Sequence, residues 1–234
     1  MKKIFNLIFL VIVLFPALVM AGNYHGLWIG QVELDKVNEV ASDTDTDTLQ
    51  PVEHIFDMTI LLHVDQSGVV RLLKNVTMMK ETEEVDGEDV DRRVLITDDS
   101  LLSEYEGIVR RDGKLIGIRL GSLAYDFPTD QTEMQLTGNL APGSTLECTI
   151  VIDEDHPTNP FRHLYHPDHK QGKEITRQIK ISISATQENT DPDDDQFSLS
   201  GTYQESISGL HKIPIKIAGN FSIHRISEVD VLNQ

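Results

Sequence analysis

The sequence predicts an all-β protein of antiparallel strands. Apolar residues recur at every second position in nearly every patterned segment after residue 21, and turn sequences carrying Gly separate those segments. No segment sustains the 3.6-residue period of an amphipathic helix. Alternation of this kind belongs to half-buried strands with one face in a core and the other in water.

Residues 1–21 read as a signal peptide preceding a single β domain over 22–234. Lys2 and Lys3 give a positive start, Ile4 to Val19 is apolar, and Val19-Met20-Ala21 supplies the small or aliphatic residues of a cleavage site. The apolar run is shorter than the roughly 20 residues of a spanning helix, so no transmembrane segment is expected after cleavage. The product is expected to be exported, to the periplasm or outside the cell.

The elements follow in order. Trp28, Gly30, Val32 and Leu34 alternate with Ile29, Gln31 and Glu33 in a first strand. Phe56, Met58, Ile60, Leu62 and Val64 form an apolar row opposite Asp57, Thr59 and His63. Asp65-Gln-Ser-Gly68 then turns the chain, with glycine free to take the positive φ of a tight link. Asp112-Gly113 joins Ile108–Arg111 to Lys114–Leu120 as a hairpin. Leu146, Cys148, Ile150 and Ile152 share one face. Further on, Ile175, Ile179, Ile181, Ile183 and Ala185 face away from Thr176, Gln178, Lys180, Ser182 and Ser184. Ile213, Ile215, Ile217, Gly219, Phe221 and Ile223 close the pattern. Acidic loops are expected near 40–50, 80–91 and 189–196, where strand patterning lapses and Asp and Glu accumulate.

Gly26-Leu27-Trp28 is similar to the Gly-x-Trp opening of lipocalin-like barrels. There the tryptophan plugs one end and a basic residue of a late strand covers it. Trp28 and Arg225 fit those structural roles, Arg225 through a cation–π contact. A lipocalin-like barrel is therefore preferred over a two-sheet β-sandwich.

Composition narrows the partners. A formal net charge of −18 repels nucleic acid and anionic lipid, which discounts both. Cys148 is the single cysteine, so no intramolecular disulfide supports the fold, and burial must hold the core. On an apolar face, Cys148 reads as a small buried hydrophobe and not as a nucleophile.

The densest chemistry lies in His156-Pro-Thr-Asn-Pro-Phe-Arg-His-Leu-Tyr-His-Pro-Asp-His169, which gathers four of the nine histidines and three prolines. Asn159 is placed to cap a short helix that Pro160 begins and Pro167 ends. His163, His166 and His169, with Asp168, offer a ligand set for zinc, the metal this donor chemistry suits. Calcium suits the chain less, because none of its acidic segments has the full calcium-loop spacing. Phe161, Arg162 and Tyr165 are candidate binding residues. The alternative is a proline-braced loop whose imidazoles serve only backbone carbonyls and nearby carboxylates.

No catalytic set emerges elsewhere: there is no Gly-x-Ser-x-Gly elbow and no Gly-rich phosphate loop. His25, His54, His63, His211 and His224 are scattered and read as ordinary polar residues.

Three stretches together resemble the C-terminal β domain of uncharacterised secreted bacterial proteins. They are Trp28-Ile-Gly-Gln-Val32, Asn159-Pro-Phe-Arg-His-Leu-Tyr-His-Pro-Asp-His169, and Gly201-Thr-Tyr-Gln-Glu205 continuing to Gly219-Asn-Phe-Ser-Ile-His-Arg225. The resemblance implies a bacterial, exported β domain and supplies no catalytic residues. The reading that results is a non-enzymatic domain binding a protein or small-molecule ligand through the histidine/proline loop. A metal-dependent hydrolase using that loop and a structural cell-envelope module stand as alternatives.

Overall fold

A computed structural model of the chain describes residues 24–38, 48–105, 110–111, 114–115, 117–122, 131–157, 159, 161, 173–184 and 197–234. The strands are β1 (Gly26–Asn38), β2 (Leu49–Val64), β3 (Val70–Leu73), β4 (Asn75–Val85), β5 (Glu88–Ile96), β6 (Arg110–Arg111), β7 (Lys114–Leu115), β8 (Ile118–Gly121), β9 (Glu133–Leu136), β10 (Thr145–Ile152), β11 (Ile175–Ile183), β12 (Ser198–Ser208) and β13 (Ile215–Ser227). One short 3-10 helix, Asp99–Glu104, follows β5. All strand pairings between them are antiparallel, as expected.

Eight strands form one sheet in the order β10-β11-β12-β13-β1-β2-β3-β9. Neighbours are consecutive in the chain except at two places. β13 pairs with β1, uniting the two ends of the described chain, and β3 pairs with β9, bracketing an excursion into a second sheet. That sheet has the order β5-β4-β8, while β6 pairs with β7. No sheet is closed into a barrel by a continuous ladder, and the all-β class stands. The outermost strands β9 and β10 do meet, at a single bridge where Thr137 and Glu147 exchange hydrogen bonds of 2.8 and 2.9 Å.

Period-two patterning places one face of all eight strands in a single core. Trp28, Val32, Ile60, Leu62, Leu72, Leu136, Leu146, Ile150, Ile179, Ile181, Tyr203, Phe221 and Ile223 belong to it, each nearly or wholly removed from water. Each such aliphatic side chain contributes roughly 1.5–3 kcal/mol through burial. Two inward-facing glycines let neighbouring strands come close. A Cβ on Gly30 would sit 1.9 Å from the Ser222 carbonyl oxygen, and one on Gly219 equally close to that of Glu33. Glycine within a strand marks this kind of close backbone approach.

The excursion builds a second layer. Leu27 and Leu61 point outward from β1 and β2 and pack with Leu73, Val76 and Leu95, with Val229 and Leu232 laid over them. On the far side of the small sheet, Met79, Val94 and Ile96 are covered by Leu101, Leu102 and Tyr105. Asp98 caps the 3-10 helix by accepting from the Ser100 amide at 2.9 Å. The Ser100 hydroxyl, and next that amide, hold its carboxyl below the usual range.

Several expectations are revised. Residues 80–91, read as an acidic loop, form a β4–β5 hairpin turned at Asp86 and Gly87, both with positive φ (56° and 85°). Phe56, assigned to the apolar row of β2, is 60% exposed. The register jumps from Leu34↔Phe56 to Lys36↔Pro51, so residues 52–55 bulge out of the ladder and carry Phe56 with them. The segment Lys114–Leu120 divides: β7 pairs with β6 while β8 joins β4 in the second sheet. The turn at Asp65 is as expected. Gly68 has φ +84°, and its amide donates to the Asp65 carbonyl at 2.9 Å. Of the acidic loops expected near 40–50 and 189–196, residues 40–47 and 189–196 lie outside the described residues, while Leu49 and Gln50 begin β2.

Candidate functional site

The chain leaving β10 turns at once, with the His156 amide donating to the Asp153 carbonyl at 3.0 Å and the Asn159 amide to the His156 carbonyl at 2.9 Å. Asn159 is 3% exposed and ties both ends of the loop together. Its side-chain nitrogen donates to the Asp153 carbonyl at 2.9 Å and to the Lys173 carbonyl at 2.7 Å. Its Oδ1 accepts from the Phe161 amide at 2.8 Å, the bond expected of the capping role. Phe161 packs against the main core, and the Lys173 ammonium lies 5.8 Å from its ring centre. The loop base is thus fastened to the sheet. Arg162, His163, Tyr165, His166, Asp168 and His169 lie outside the described residues. Among the described residues no three His, Cys, Asp or Glu side chains gather as a metal site.

Inside the sheet lies a charged group that the sequence reading passed over. Arg177 sits between Ile175 and Ile179 on the inward face of β11, and Glu205 follows Tyr203 on the inward face of β12. Arg177 grips Glu205 with two nitrogens: Nε meets Oε1, and Nη2 meets Oε2 at 3.1 Å. The Tyr203 hydroxyl donates to Oε2 at 2.8 Å. The Glu205 side chain is wholly buried, and that of Arg177 is 12% exposed. A buried carboxylate persists only where donors replace its water, and here three do. The signal available in sequence was a charge at an inward position on each of two neighbouring strands.

Cys148 lies nearby, partly buried against the core. Desolvation, and next the negative charge of Glu205, push its thiol up to about 11, with Arg177 opposing. It remains protonated near neutral pH, in keeping with a packing role. An open depression of about 670 Å³ crosses β10 to β13. Glu205 and Ile179 border it with their side chains buried, and the half-buried Cys148 and the outward Gln178, Lys180, Gln204 and Ser206 are among its lining residues.

Trp28 and Arg225 are direct cross-strand partners on the inward face. The Trp28 indole donates to the Tyr24 carbonyl at 2.9 Å and meets Phe197 edge-on at 5.4 Å between ring centres. Arg225 is 7% exposed and pairs with Glu228 at 2.9 Å. The two residues therefore sit side by side at one end of the core.

His63 is not an ordinary polar residue. It is buried in the second layer, with Nε2 3.1 Å from the Val229 carbonyl oxygen. Nothing in local sequence marked it, because its burial is created by strands that arrive later in the chain.

No helix among the described residues is long and apolar enough to cross a membrane. No protein-family model and no curated protein matches the chain.

Proposed function

We propose that this chain is a non-enzymatic, exported β domain that binds a protein or small-molecule ligand, with the histidine/proline loop on its binding face. The observation that carries this reading is the anchoring of the loop base. Asn159 clamps Asp153 to Lys173 while Phe161 packs against the core, so whatever the loop presents is presented from an anchored base. Preorganisation of this sort lowers the ordering cost of binding. The leader pattern supports export, and the resemblance to secreted bacterial β domains supports a bacterial origin. The meeting of β9 and β10 at Thr137 and Glu147 supports a rolled, barrel-like body beneath the loop.

Native mass spectrometry of the processed protein, purified from the exported fraction, tests the proposal. A retained ligand or partner is expected, and it should be lost when residues 162–168 are replaced by a Gly-Ser linker without a change in melting temperature. A protein that carries nothing, or that keeps its cargo in the linker variant, overturns the reading. Stoichiometric zinc that disappears in His163→Ala/His166→Ala would put the metal-dependent alternative in its place.

A further inference from the structure

Beyond β13, residues 228–234 cross the second layer as a strap. Val229 and Leu232 pack there with Leu27, Leu61, Leu73, Val76 and Leu95. At the far end Leu232 bridges Leu95, the Asn233 amide donates to the Leu95 carbonyl at 2.7 Å, and the Asn233 side-chain oxygen accepts from the Thr97 and Asp98 amides at 2.8 and 3.2 Å. At the near end stands His63, 1% exposed.

His63 Nε2 faces the Val229 carbonyl, while Nδ1 is buried with no hydrogen-bond partner among the described residues. A neutral imidazole satisfies this arrangement, because the Nε2 proton goes to the carbonyl and Nδ1 keeps an unused lone pair. A protonated ring does not. It gains a second N–H with no acceptor and a positive charge within an apolar layer. Leu27 is its cross-strand neighbour on β1, and Arg71 on β3. The charged groups acting on it are Arg71 from β3, Asp65 from the following turn and Asp230 from the strap itself.

We propose that His63 is the latch of an acid-released C-terminal strap: protonation of its ring frees residues 228–234 from the second layer. The strap yields first because β1, β2 and β3 are held in the ladder, whereas residues 228–234 form no strand and are fastened at Val229 and at Leu232 and Asn233. Burial lowers the His63 pKa below 6.5. The Val229 bond raises it in partial compensation, Arg71 lowers it further, and Asp65 and Asp230 raise it. A histidine whose folded value lies below its unfolded one leaves the docked state fully stable above the unfolded value. That stability is lost as pH falls below 6.5 towards the folded value. Asp65, held near 2, stays ionised throughout this window and plays no part in it. Release uncovers Leu27, Leu61 and Leu95, so acid would convert a covered face into an apolar one.

Hydrogen exchange of the full chain at pH 7.5 and 5.0, corrected for intrinsic rates, tests the latch. Protection across residues 228–234 should fall about tenfold or more at the lower pH relative to β11 and β12. His63→Gln, which keeps a donor for the Val229 carbonyl and cannot titrate, should abolish the fall. Strap protection that tracks β11 and β12 at both pH values, or an undiminished fall in His63→Gln, would refute the latch. If that variant fails to fold, NMR titration of the unaltered protein decides. The His63 ring and the Asn233 amide should shift with one midpoint below 6.5. A midpoint at or above that value, or two different midpoints, overturns the proposal.

Discussion

The outward faces of two halves of the large sheet behave differently. On β10 to β12 the outward Glu147, Gln178, Lys180 and Gln204 are exposed, and Glu147 and Lys180 pair across strands at 3.3 Å. On β1 and β2 the outward Leu27, Leu61 and His63 are as deeply buried as their inward neighbours, because the small sheet and the strap lie over them. Both halves show the same two-residue period. Periodicity therefore tells which side chains share a face, while a covering layer tells whether that face meets water. The interior offers a matching contrast: most of it is aliphatic, yet Arg177, Tyr203 and Glu205 place a charge pair within it.

The largest expected effect probes that interior pair. Glu205→Ala leaves Arg177 and the Tyr203 hydroxyl facing an apolar gap and should cost about 3–5 kcal/mol in urea unfolding. Arg177→Met/Glu205→Leu should recover most of that loss, since removing both partners leaves no stranded charge. If the single variant unfolds with unchanged midpoint, the pair is not part of the core.

Leu61→Ala tests the covered half. It removes a fully buried side chain from an outward position and should cost about 2–5 kcal/mol, as a core truncation does. A loss below about 1 kcal/mol would mean that the second layer contributes little to the stability of the large sheet.

A smaller effect belongs to the β2–β3 turn. Burial raises the pKa of Asp65, but hydrogen bonds from Ser67, Arg71 and Val69 and the charge of Arg71 outweigh it and hold the group at about 2. A carboxylate with a lowered folded value contributes stability above its unfolded value of 3.8, and that contribution fades as pH falls towards 2. Allowing for solvent screening, Asp65→Asn should cost about 1–2 kcal/mol at pH 7 and nearly nothing at pH 2, read from melts at both.

The smallest effect comes from the exposed half. Lys180→Ala breaks a pair whose side chains are 50% and 58% exposed, and should change stability by no more than about 0.5 kcal/mol. Set beside Leu61→Ala, it measures how far one alternation pattern can conceal two environments.

The legible part of the site was the loop base. Asn159 followed by Pro160 announced a side-chain bond to the following backbone, and the bond from the Phe161 amide is present, while the helix expected beyond it lies outside the described residues. The Arg177–Glu205 pair was harder to see, because Arg177 lies inside an isoleucine row that reads as uniformly apolar. Only the pairing of Ile179 with Glu205 across β11 and β12 brings the partners together. His63 could not be distinguished from the polar residues around it, because its burial depends on Val229, some 166 residues away.

Local sequence by itself determined that this chain forms strands, that the chain turns at Asp65–Gly68 and which residues line most of the main core, because backbone pleat ties every second side chain to one face. Tertiary structure decided the rest: that β13 pairs with β1, that a second sheet caps β1 and β2, and that a carboxylate and a histidine are buried. Those outcomes depend on contacts between distant segments, which no local period encodes.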